Sequence, residues 1–154
     1  MKRFSFQKIW TLLGLLLIGC SRPPGSPTPT ATQHHHHAAP HGGSLIEVGE
    51  ELAHLELLWK PDSGRLTLYV IDGECEQAIR LKQAQLEMVQ AGQTYRLRAV
   101  ANPLTGETVG DSSQFEGDLP GLRGQTRWNA KLKELKIAGQ TFSDVSVEFP
   151  QTHS

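Results

Sequence analysis

The chain has 154 residues, 38% hydrophobic and 6% aromatic, which suits one domain with a modest core and excludes a membrane bundle. Three basic residues, Lys2, Arg3 and Lys8, lie in the first nineteen positions, where no acid occurs. The rest of the chain therefore has 12 of the 15 basic residues and all 16 acidic residues, a formal net charge of −4. This balance argues against nucleic-acid binding, in which Lys and Arg must neutralise phosphates.

An export signal is predicted over residues 1–19. Residues 9–18 form an apolar run of about ten residues, too short for a bilayer span, which needs about twenty. The run ends in Leu17-Ile18-Gly19-Cys20, which resembles the bacterial lipobox. That resemblance implies cleavage before Cys20 and lipidation of its thiol, and several acyl chains at about 0.8 kcal/mol per buried methylene anchor a protein stably. An ordinary signal peptide with a chance cysteine is the alternative.

The second cysteine, Cys75, has no disulfide partner within the chain once Cys20 is lipidated. It lies between Glu74 and Glu76 in a polar turn. Because neighbouring acids raise the pKa of a thiol, the sequence favours a tolerated lone cysteine over a soft metal ligand or redox site.

Residues 20–43 are predicted to be a linker, with residues 44–150 as the folded domain and 151–154 as a short tail. The linker is rich in Pro and Thr and has almost no apolar side chains, so it cannot bury enough surface to offset its ordering entropy. At roughly 3 Å per residue it lets the domain stand up to about 60 Å from the membrane. Ser21 after the lipidated cysteine resembles the signal for the outer membrane, with the domain facing the periplasm.

Five of the seven histidines lie near the end of this linker. Four are consecutive and are called the histidine tract here: His34, His35, His36 and His37. His41 follows closely. Neutral imidazoles are good ligands for Zn²⁺, Cu²⁺ and Ni²⁺, and a flexible segment can wrap several around one ion. The alternative is a low-complexity linker whose histidines chelate weakly without a physiological role.

From residue 44 the hydrophobic period changes to two, which indicates half-buried strands. Residues 52–60 and 65–71 alternate on either side of a Pro-Gly turn and predict a hairpin. About eight short strands and no convincing amphipathic helix favour an all-β antiparallel fold, either a small immunoglobulin-like β-sandwich or a related barrel. Residues 113–117 are predicted to be a short edge strand.

The first strand of the hairpin carries two further candidate metal ligands. His54 faces outward, and Glu56 lies on the same face roughly 7 Å away. A solvated strand face with no ligand role is the alternative.

One motif set resembles a known group of exported planctomycete-like bacterial lipoproteins. It reads His41-Gly-Gly, Glu47-Val-Gly49, His54-Leu-Glu56-Leu and Leu68-Tyr69-Val-Ile-Asp72-Gly73. The resemblance spans residues 40–100 and implies an HGG-containing β domain behind a His-rich tail, without assigning an activity. The HGG opening is also similar to the start of periplasmic adaptors of heavy-metal efflux systems. The chain lacks their long coiled-coil hairpin and lipoyl-like region, so it is not one of them.

The sequence therefore favours a lipid-anchored, periplasm-facing binding or accessory protein that takes up Zn²⁺, Cu²⁺ or Ni²⁺ through its histidines. The alternative is an immunoglobulin-like module with no metal role that contacts another envelope protein through exposed sheet edges and Phe115 or Trp128. Catalysis is not expected, because neither G-x-S-x-G nor H-E-x-x-H nor an acid pair at a recognisable spacing occurs.

Overall fold

The computed structural model describes residues 37–151. Within that range the chain forms antiparallel strands and one short 3₁₀ helix, at Pro120–Leu122. The strands are β1 Ser44–Val48, β2 Ala53–Lys60, β3 Arg65–Asp72, β4 Gln85–Gln90, β5 Gln93–Ala99, β6 Gln114–Asp118, β7 Trp128–Ile137 and β8 Gln140–Phe149. The predicted all-β antiparallel fold is confirmed. The predicted signal peptide, Cys20, His34 to His36 and residues 152–154 lie outside the described residues.

The strands form one sheet in the order β1-β2-β3-β6-β5-β4-β7-β8. The predicted hairpin is β2–β3, paired from Ala53 opposite Asp72 to Lys60 opposite Arg65. In the sheet, β6 and β5 lie between β3 and β4, although β4 directly follows β3 along the chain. The order of the strands in the sheet therefore differs from their order in the sequence.

The sheet curls until its two edge strands approach each other. The backbone N–H of Gln151, just after β8, donates to Ser44 Oγ at the start of β1 over 2.6 Å. At the other end of β1, a Cβ on Gly49 would lie 2.8 Å from the ring of Phe142. The described chain is therefore a nearly closed barrel, the second of the two predicted architectures.

The hydrophobic core fills the inside of this barrel. Its largest fully buried side chains are Phe115, Leu55, Leu57, Leu66, Leu68, Leu81, Leu86, Met88, Leu97, Leu119, Leu122 and Leu132. The prediction of an edge strand at 113–117 is wrong, because β6 lies between β3 and β5. Trp128 is also buried, between the rings of Trp59 and Phe149. Neither Phe115 nor Trp128 is therefore available as a contact residue.

Candidate metal centre

Residues 37–43, called the strap here, lie against the outer face of β2. The backbone N–H groups of His41 and Gly43 each donate to Glu56 Oε1 over 2.8 Å. A Cβ on Gly43 would lie 2.6 Å from the carbonyl oxygen of Leu57, so the backbone passes too close for any larger residue. The folded unit thus begins before Ser44, inside the range predicted to be linker.

Glu56 is fully buried beneath the strap. Its second oxygen, Oε2, lies 2.7 Å from His41 Nδ1, so three donors from the strap satisfy one carboxylate. A buried carboxylate is tolerated only with such partners, and hydrogen bonds to a charged acceptor are the stronger kind. The predicted shared face of His54 and Glu56 is correct, but the alternative of a solvated face is wrong. Since its oxygens are engaged, Glu56 positions His41 instead of facing an ion.

His41 is held in one orientation by two contacts. A carboxylate only accepts, so the pair places a proton on Nδ1, and in the neutral imidazole the lone pair then lies on Nε2. The imidazole also stacks on the ring of Tyr69, with centroids 3.9 Å apart and planes 8° from parallel. The side chain remains 42% exposed. Metal-binding histidines commonly use this arrangement, in which a carboxylate orients one nitrogen and the other binds the ion.

Tyr69 was not predicted as part of this site. It lies directly across from Glu56 in the β2–β3 register. Burial raises the pKa of its hydroxyl, and the nearby carboxylates of Glu116 and Glu56 raise it further. The hydroxyl therefore stays protonated at neutral pH. Tyr69 could have been identified from the predicted hairpin, because the β2–β3 register places it beside Glu56.

His54 and His37 bring a second pair of imidazoles together at the outer face of β2. His54 is 7% exposed, and its ring centroid lies 5.3 Å from that of His37, with the planes 59° apart. His54 Nδ1 is 3.4 Å from the carbonyl oxygen of Asp72. Because a carbonyl only accepts, this contact places a proton on Nδ1, and in the neutral imidazole the lone pair then lies on Nε2. The last residue of the histidine tract thus contacts an imidazole of the domain.

Cys75 lies in the turn that follows β3. Its N–H donates to the same Asp72 carbonyl over 3.1 Å. Burial raises the pKa of the Cys75 thiol, and the negative charges of Asp72, Glu56 and Glu74 raise it further. The predicted rise in pKa is confirmed, although burial contributes more than the neighbouring acids. A thiol that resists deprotonation is a poor ligand at neutral pH.

The carboxylate of Asp72 serves the turn itself. Its Oδ1 accepts the N–H groups of Glu76 and Gln77 over 2.8 and 3.2 Å. A Cβ on the next residue, Gly73, would lie 1.9 Å from the carbonyl oxygen of Glu51, so the position requires glycine. The Asp72-Gly73 pair is therefore explained by turn geometry.

No three His, Cys, Asp or Glu side chains within residues 37–151 converge in a group able to hold a metal ion. The structure brings His41 to Glu56 and His37 to His54. Neither of these groups reaches three metal-binding side chains. Over the same residues, no helix is long and apolar enough to cross a membrane.

No family model, curated protein or solved structure matches the chain. The lipoprotein resemblance therefore stays a prediction. The residues that carry it do form one structural unit, since His41 and Gly43 bind Glu56, Tyr69 stacks on His41, and Asp72-Gly73 closes the adjoining turn.

Proposed function

We propose that this protein is a lipid-anchored accessory protein of the bacterial cell envelope that binds a divalent transition metal where its tether joins the β domain. The histidine tract supplies mobile imidazoles, and the strap fixes the point from which the tract extends. The observation that carries the proposal is the Glu56–His41 contact, in which a fully buried carboxylate holds an imidazole in the orientation of a metal ligand. A linker without a role does not require a buried charge to fix its end.

Metal binding is tested by titrating the full chain, purified in detergent, with Zn²⁺, Cu²⁺ and Ni²⁺. A variant with His34, His35, His36, His37 and His41 changed to Ala should bind the ions at least about tenfold more weakly, since losing even an outer partner of a ligand costs about 10–100-fold. His153→Ala, which removes a histidine far along the chain, is the matched control and should bind like the parent. Equal affinity in the five-histidine variant would contradict the proposal.

The anchor is tested separately. The proposal places lipidated Cys20 in the outer membrane, with the linker holding the domain in the periplasm. The parent chain should partition into detergent and the outer-membrane fraction, whereas Cys20→Ala should not acquire label from a fatty-acid precursor. Equal labelling of both proteins would show that Cys20 is not the acylated residue.

A protein-contact module is the second candidate, and one observation favours it. Leu104 and Val109, in the β5–β6 connection, are 97% and 64% exposed. A pull-down from native membranes with the parent and with Leu104→Ser, each with and without chelator, separates the candidates. Capture that depends on Leu104 and ignores chelator supports the contact module, and capture lost with chelator supports the metal role.

A further inference from the structure

We infer that the protein binds a neutral oligosaccharide bearing acetamido groups in a cavity at the start of β7, where the indole N–H of Trp128 donates to the ligand. The inference goes beyond the proposed function. It uses none of the histidines, so it is independent of metal binding.

The cavity lies where β4 and β7 separate. The ladder between these strands contains two pairs, Met88 opposite Leu132 and Val89 opposite Lys131. Residues 128–130 of β7 extend beyond that ladder and pair with β8 alone. An open cavity of about 350 Å³ lies here, and an adjoining one of about 530 Å³ shares three of its lining residues. Both volumes fall in the usual range for small-ligand sites, about 300–1,000 Å³.

The smaller cavity has a polar lining without net charge. Three of its lining residues carry amide side chains, Gln90, Gln125 and Asn129. Arg127 contributes one positive charge and Glu148 one negative charge, so the formal sum is zero. This balance favours a neutral ligand. Amides both donate and accept, so they match the hydroxyl and acetamido groups of a sugar.

Trp128 brings an unused hydrogen-bond donor to this cavity. It is 6% exposed, and its indole nitrogen Nε1 has no acceptor among the described residues. The neighbouring indole of Trp59 is satisfied, since its Nε1 donates to the carbonyl oxygen of Gln125 over 2.7 Å. A buried indole N–H usually has an acceptor, and a buried donor without one costs free energy. An acceptor on a ligand would remove that cost.

Trp128 lies too deep to contact another protein, but it lines an open cavity that suits a small ligand. Its ring stacks on Phe149, with centroids 5.6 Å apart and planes 16° from parallel. The ring of Trp59 meets it edge-on, with centroids 5.7 Å apart. These contacts hold the indole in one orientation, so its donor is preorganised.

An acetamido group supplies the acceptor that Trp128 lacks. Its carbonyl oxygen is an amide acceptor, the same kind that Trp59 uses at Gln125. Its methyl group is apolar and suits the aromatic side of the cavity, which Trp128 and Phe149 form. The adjoining cavity provides room for a second sugar, because the two cavities share Gln90, Asn129 and Glu148.

The test is titration of the ¹⁵N-labelled full chain, in a detergent without sugar groups, with N,N′-diacetylchitobiose. The indole signal of Trp128, identified by its loss in Trp128→Phe, should shift until the site is saturated. The amide signal of Gly106, in the β5–β6 connection, should not move. Trp128→Phe keeps an aromatic ring but removes the donor, so it should weaken binding about tenfold.

A second variant decides the result if Trp128→Phe fails to fold. Gln90→Ala removes an amide from the lining at a position outside the hydrophobic core, and it should also weaken binding. Gln93→Ala is the matched control, because it removes an exposed amide at the start of β5 that does not line the cavity. It should bind like the parent.

Three outcomes would overturn the inference. Cellobiose has the same linkage without acetamido groups and should bind at least about tenfold more weakly, so equal affinity for the two disaccharides would refute the acetamido contact. Binding of N-acetyl-trialanine amide in place of the disaccharide would assign the cavity to a peptide. An unmoved Trp128 signal at saturating disaccharide would remove the site altogether.

Discussion

The outer face of β2 and the outer face of β7 come from the same alternating pattern but have opposite environments. In β7 the outward residues Asn129, Lys131 and Lys133 are exposed, as the alternation predicts. In β2 both His54 and Glu56 are buried, because the strap lies over them. A polar residue on an outward position can therefore be either solvated or covered. Where it is covered, its hydrogen-bond partners determine what it does.

The largest expected effect comes from removing the buried carboxylate beneath the strap. Glu56→Ala leaves the N–H groups of His41 and Gly43 without their acceptor, and we expect a loss of about 3 kcal/mol in the free energy of unfolding. Glu148→Ala on β8 removes the same charge from an exposed outward position and should change stability by no more than about 0.5 kcal/mol. Urea unfolding measures both. Equal losses would mean that the strap does not depend on Glu56.

A smaller effect is expected where the strap passes closest to β2. Gly43→Ala places a Cβ against the Leu57 carbonyl and the Glu56 side chain, and overpacking of this kind costs about 1–3 kcal/mol. The strap should lift, and the amide of His41 should exchange its hydrogen faster. Gly92→Ala, at a positive φ of 80° in the β4–β5 turn with open space around it, strains only that turn. Unchanged exchange at His41 in Gly43→Ala would show that the strap is not packed there.

The smallest effect concerns a second buried carboxylate, Glu107, in the β5–β6 connection. Burial acts to raise its pKa, but hydrogen bonds from Ser113 and Thr105 outweigh it, and the pKa is lowered from its ordinary 4.5. The stability it contributes is therefore fully present above the unfolded pKa. That stability is lost as the pH falls through the lower folded value. Unfolding measured from pH 7 to pH 2 should show a weaker acid dependence in Glu107→Gln than in the parent, and identical profiles would contradict this.

The local features of the fold were predictable. The β2–β3 hairpin follows from alternation on either side of residues 61–64, and turn residues mark most other strand ends. The position of β6 was not predictable, because its place between β3 and β5 depends on partners distant in the chain. Phe115 was accordingly assigned to an edge strand, although it lies in the centre of the core.

The candidate site was likewise predictable only in part. His41, His54 and Glu56 could be identified as candidates from residue type and face. Their contacts could not, because a Pro- and His-rich stretch before Ser44 has the composition of a linker whether or not its end packs on the sheet. The clue was the Gly42-Gly43 pair after His41, since adjacent glycines permit a close backbone approach.

The most direct test of the metal proposal uses the two faces in one experiment. Substoichiometric Cu²⁺ added to ¹⁵N-labelled full chain should broaden the amide signals of the strap and of its neighbours on β2, such as His54. The signals of Lys133 and the other outward residues of β7 should stay sharp. Equal broadening on both faces, or none at the strap, would contradict a metal site at the junction of tether and domain.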